Sequence, residues 1–229
     1  MLDASAFSTI DLSEIVVAIG GLGTAAYGVI DASKGLGGGI SNRGFGDIKR
    51  VISQFIPAGG TSALALPSAL ATLRANWLNG MALADQKSIA KALIKLNLTS
   101  GTAKQMAASA GVDGDLLTSV AEKVATGETL TQKETDVYGR FDLLLTALLD
   151  QGYQRADQRY RNSAKLLAMP VAVVLAMLGA WAMSGTGLTP IDARRAVIAG
   201  LLATPLAPVA KDLSSALQAG AKVAQSWKK

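Results

Sequence analysis

The chain of 229 residues has no cysteine and no histidine. Those two absences exclude disulfides, thiolate nucleophiles, imidazole bases, and the thiolate and imidazole ligands that hold most transition metals. Charge is also scarce. Asp, Glu, Lys and Arg make up 17% of the residues, against about 25% in an average soluble domain. Aromatic residues are 5%, which disfavours sheet. Half of the chain is apolar, and the mean hydropathy is +0.32. Low charge with many apolar residues points to a membrane protein, and abundant alanine points to helix. The first fifteen residues, MLDASAFSTIDLSEI, carry Asp3, Asp11 and Glu14 but no basic residue. They do not read as a secretory signal, which opens on positive charge.

Three stretches have the character of bilayer spans. Ile15–Ile30, IVVAIGGLGTAAYGVI, is short for a span but is extendable at both ends. It runs into a glycine-rich break, KGLGGGISNRGFG. Leu166–Met183, LLAMPVAVVLAMLGAWAM, is the most apolar run, and Ala196–Ala210 is the third. Pro205 and Pro208 are expected to kink or break that third stretch.

Between the first span and the second, the pattern is helical and partly polar. In FGDIKRVISQFI, residues Phe45, Ile48, Ile52, Phe55 and Ile56 share one face. A further helix is expected from Thr61 or Ser62 through Met81, with Pro67 about a turn inside. Shorter helices are expected near 83–97, 102–110 and 115–126. Lys87, Lys91 and Lys95 form a polar stripe on the first of these, opposite Ile89, Leu93, Ile94 and Leu96. Thr131 and Glu134 then form a capping box, TQKE, in which each side chain satisfies an orphan N–H of the other residue. From there no proline occurs before Pro170, so the pattern predicts one helix over about 131–183. Thr189-Pro190-Ile191-Asp192 starts another.

The expected architecture is all-α: a polytopic membrane protein with about three transmembrane helices and a cytoplasmic helical domain. Its long helix runs from that domain into the membrane. Five segments result: an N-terminal segment with the first span (1–34), a helical domain (35–130), a juxtamembrane stem (131–165), a transmembrane hairpin (166–210) and a basic amphipathic tail (211–229). Lys and Arg decide orientation. Arg194 and Arg195 lie on one side. Lys34, Arg43, Lys49, Arg50, Arg155, Arg159, Arg161, Lys165, Lys211, Lys222, Lys228 and Lys229 lie on the other. The bias predicts an N-terminus outside and a cytoplasmic C-terminus, in a membrane of the prokaryotic inner-membrane type.

Small residues recur four apart in the spans: Gly20, Thr24 and Gly28 in the first, Ala172 and Ala176 in the second, Gly200 in the third. Small side chains let helix backbones approach in lipid, so these are the candidate helix-packing residues. Arg155, Arg159, Arg161 and Lys165, directly before the second span, are the candidate contacts to lipid headgroups, with Tyr153 and Tyr160 as interface or stem contacts.

Other motifs fail on inspection. GLGGGISNRGFGDIK lacks the spacing of a phosphate loop. AKQMAASAGVDGDLLTSVA resembles a helix-turn-helix, but Asp113 and Asp115 open its second helix and repel phosphate. Counted from Asp113, an EF-hand loop needs glutamate where Val124 stands. No catalytic residue, cofactor or metal is expected. The chain reads as a non-enzymatic scaffold or assembly factor, with membrane lipid and further copies or membrane-complex subunits as partners, and no nucleic acid. A channel or transporter subunit and a pore-former with a hydrophobic hairpin are the alternatives.

Overall fold

The computed structural model describes residues 12–33, 37–58, 64–185 and 187–226, and among these the fold is all-α, with eight helices and no strand. They are α1 (Leu12–Ala32), α2 (Ser41–Phe55), α3 (Leu66–Leu78), α4 (Leu83–Leu96), α5 (Ser100–Ala110), α6 (Gly114–Thr126), α7 (Gln132–Ser184) and α8 (Pro190–Ser226). The chain divides into two compact units. Ile40–Arg161 forms a helical domain; α1, the part of α7 from Asn162 onward, and α8 form an apolar unit.

In the helical domain, α2 buries Phe45, Ile48, Ile52 and Phe55 as its spacing dictates. From α7 come Phe141, Leu145, Leu149, Tyr153 and Ala156, all buried in the same core. Each large apolar side chain withdrawn from water this way contributes about 1.5–3 kcal/mol. Phe55 and Phe141 meet edge-on, with ring centroids 6.4 Å apart. The crossing of α2 and α7 depends on two glycines. A Cβ on Gly44 would lie 2.6 Å from the Ala156 carbonyl oxygen, and one on Gly152 would lie 2.8 Å from Val51. By sequence Gly152 looks like a weak point in the helix; here its missing side chain is what admits α2. Helix ends follow local chemistry. Asp113 accepts from the N–H groups of Asp115 and Leu116, and Gly111 and Gly127 take the left-handed conformation after α5 and α6.

The capping box at Thr131 forms. The Thr131 N–H donates to Glu134 at 2.7 Å, and α7 then continues unbroken for 53 residues, about 80 Å. Two expectations are corrected. α3 begins at Leu66, so Pro67 lies in the first turn and not a turn inside, at a position where its missing N–H is an orphan in any case. Residues 61–63, expected to open this helix, lie outside the described residues. α8 runs through Pro205 and Pro208 to Ser226 without a break. Each proline removes one donor, from the carbonyls of Leu201 and Thr204, and packed helices in an apolar setting tolerate such a loss.

In the apolar unit, α1 turns Gly20, Gly23, Ala26 and Ile30 inward, and α8 turns Ala196, Gly200, Ala203 and Ala207 inward. α1 packs on α8. Two helices of the chain, α1 and α7, are long and apolar enough to cross a membrane.

Candidate functional site

The small residues of the apolar unit divide into those used within the chain and those left open. A Cβ on Gly23 would fall 2.7 Å from the Ala203 carbonyl carbon and 3.0 Å from the Ala207 methyl. One on Gly200 would fall 2.5 Å from the Val173 Cα. α1 and α7 therefore both touch α8 backbone to backbone, at Gly23 and Gly200. Gly20 and Ala172 are buried, and Ala176 is half-buried. Thr24 and Gly28 face outward, and a Cβ on Gly28 would meet nothing within 4 Å. The Thr24 hydroxyl donates to the Gly20 carbonyl one turn back at 3.1 Å. Gly23 falls outside the four-residue spacing of Gly20, Thr24 and Gly28, because the intramolecular contact on α1 advances by three: Gly20, Gly23, Ala26.

Outward from these contacts the unit presents large apolar side chains. Leu166, Val174, Leu178 and Trp181 of α7 are more than half exposed, as are Ile198 and Val209 of α8. A soluble monomer rarely leaves so continuous an apolar surface open.

The four basic residues before the second span fall into two classes. Arg159 reaches into the helical domain and pairs with Asp47 at 3.3 Å; Arg161 pairs with Asp157 at 2.8 Å, one turn away. Arg155 and Lys165 are exposed and form no ion pair among the described residues. The segment that reads as a stem is, up to Arg161, part of the domain's packing. Tyr153 is 1% exposed and donates to the Gln86 carbonyl, and its burial pushes the phenol pKa up. Tyr160 lies edge-on to Trp77, whose indole N–H donates to the Ser41 carbonyl at 2.9 Å.

Buried polar groups in the domain are structural. Asp47 is 3% exposed and lies between Arg50 and Arg159, 3.3 Å from each. The lysine stripe on α4 is not left in water. Lys87 pairs with Asp150 at 2.5 Å; Lys91 and Lys95 pair with Asp142 at 2.6 and 3.1 Å. These pairs join α4 to α7. Glu134 collects Lys123 at 2.8 Å, the Ser119 hydroxyl at 2.6 Å, and the backbone and side chain of Thr131. Led by Lys123, these donors hold its carboxyl down at about 2. Every one of these carboxylates has a cation within the fold. Among the described residues there is no group of acidic side chains arranged to hold a metal ion.

α5 and α6 form a helical hairpin through Gly111. Lys104 pairs with Asp115 at 2.9 Å, so the hairpin keeps its acidic entry to the second helix. Comparison with family models, with curated proteins and with solved structures gives no match.

Proposed function

We propose that the chain is an integral membrane protein that holds a helical domain at a bilayer surface and works there as a non-enzymatic, self-associating scaffold or assembly factor. One observation carries the reading: a single helix, α7, supplies Phe141, Leu145 and Leu149 to a packed core and then, after Lys165, presents an open apolar surface. A chain has reason to continue one helix through such a change of character where the solvent itself changes.

Three spans are the favoured count. α8 enters as the third because it packs on α1 at Gly23 and on α7 at Gly200, as close helices do in lipid. The distribution of Lys and Arg favours an outer N-terminus and a cytoplasmic domain. The open face of α1 around Thr24 and Gly28 is the proposed contact between copies. A pore-former that stores its hairpin inside a soluble bundle is disfavoured by the exposure of Leu178, Trp181 and Ile198. A channel or transporter subunit is the second reading. It is favoured by the Thr204 hydroxyl, which is buried without a hydrogen-bond partner on a helix where Pro205 and Pro208 free two carbonyls.

Because the chain has no cysteine, single cysteines report topology directly. Ser184→Cys is expected to react with an impermeant thiol reagent from outside and Ser109→Cys only after lysis, while native mass in mild detergent is expected to show more than one copy. Reversed labelling overturns the orientation, and a strictly monomeric mass overturns self-association.

A further inference from the structure

Within the apolar unit, α1, α7 and α8 leave an open groove of about 590 Å³ between them. That volume falls in the range of about 300–1,000 Å³ typical of small-molecule sites. Its walls are Leu22, Leu175 and Met183, and it owes its width to small residues such as Ala18 and Gly179. A Cβ on Gly179 would meet nothing within 4 Å.

The polar groups that line the groove are gathered at one end, where α7 finishes and α8 begins. They are Ser184, Asp192 and Arg195. Two of them are occupied. The Ser184 hydroxyl donates to the Trp181 carbonyl at 2.9 Å. The Asp192 carboxylate accepts from the Thr189 hydroxyl at 2.6 Å, and the same hydroxyl accepts from the Asp192 N–H, closing the cap of α8. Arg195 is exposed and has no ion pair or side-chain hydrogen bond among the described residues. The cap thus engages the Asp192 carboxylate and leaves the Arg195 guanidinium available. One turn earlier, the start of α8 adds the positive end of a helix dipole. Arg194 borders a second apolar depression, with Val197 and Ile198.

An apolar channel ending in an available guanidinium matches a molecule with a hydrocarbon chain and an anionic oxygen head. We propose that this groove binds one anionic phospholipid, with an acyl chain along Leu22, Leu175 and Gly179 and its phosphate at Arg195. The fork of Arg195 suits two phosphate oxygens at once, which a zwitterionic head neutralises in part. This inference rests on the membrane reading above. It adds a specific lipid site on the side of the bilayer opposite to Lys165.

The test uses the full chain in mild detergent, with phosphatidylglycerol and phosphatidylcholine offered in equal amounts and bound lipid read by native mass spectrometry. The wild type is expected to retain phosphatidylglycerol about fivefold over phosphatidylcholine, the scale of one basic side chain at an anionic surface. Arg195→Gln is expected to bring the ratio near one, and Gly179→Leu, at a position where an added Cβ meets nothing within 4 Å, to lower retention of both lipids. The proposal is overturned if the wild type shows no preference, if Arg195→Gln keeps it, or if a second copy of the chain replaces lipid in the spectrum. Flotation with phosphatidylcholine vesicles separates the two levels. If wild type and Arg195→Gln both float, a missing preference defeats the lipid site alone; if neither floats, the membrane reading falls and the site with it.

Discussion

Gly23 gives the sharpest test of the apolar unit. It lies where α1 crosses α8, and the Cβ of an alanine there would be 2.7 Å from the Ala203 carbonyl carbon and 3.0 Å from the Ala207 methyl. Carbon atoms in ordinary contact stand about 3.5–4.0 Å apart, so the helices must separate by roughly 1 Å. Overpacking of this kind costs about 1–3 kcal/mol. Against it, replacing a helical glycine by alanine gains about 0.5–1 kcal/mol. Gly28 supplies the control, because it sits on the same helix and its Cβ position is open. The propensity gain is common to both variants and cancels in their difference. Gly23→Ala is therefore expected to be about 1–3 kcal/mol less stable than Gly28→Ala, measured by reversible denaturation in mixed micelles at a detergent excess that separates copies, so that the Gly28 face has no partner. Equal stability of the two variants, or a more stable Gly23→Ala, refutes the close crossing of α1 and α8.

Two further outcomes are expected in the helical domain. Glu134 has its carboxyl lowered from 4.5 to about 2 in the fold. The stability it contributes is fully present above pH 4.5 and is lost as the pH falls toward 2. Glu134→Gln is expected to flatten that acid limb in a denaturation series, and an unchanged limb rejects the assignment. Arg159→Gln leaves the buried Asp47 with Arg50 as its remaining cation, and is expected to destabilise the domain by about 1–3 kcal/mol. Arg155→Gln, at an exposed residue outside that pair, is expected to leave thermal unfolding unchanged, and equal effects of the two variants refute the distinction.

The elements and their type were legible in the sequence because they depend on short-range chemistry. The TQKE box and the absence of proline from Thr131 to Pro170 are enough to predict α7 as one helix, and one helix is found from Gln132 to Ser184. The same holds for α4, α5 and α6, whose breaks are set by local glycine and cap residues. The apolar runs of α1 and α7 marked helices able to cross a membrane for the same reason, since length and hydropathy are properties of the segment itself.

Tertiary structure alone decided what each face meets. Glycine has one letter whether its missing Cβ admits a neighbour or opens onto nothing, so Gly23, Gly44, Gly152 and Gly200 are told from Gly28 and Gly139 only by what lies opposite. Charge behaves in the same way. Arg155 and Arg159 look alike in YQRADQRYRNSAK, and only the approach of α2 gives Arg159 a carboxylate, Asp47, more than a hundred residues away in sequence. The prolines of α8 do not break the helix as a local rule allows, because a helix can lose a backbone bond where its remaining turns are held by packing such as that of Ala203 and Ala207 on Gly23. Arg195, too, is one more basic residue before an apolar run until the fold sets it at the end of an apolar groove and engages the adjacent carboxylate in a helix cap.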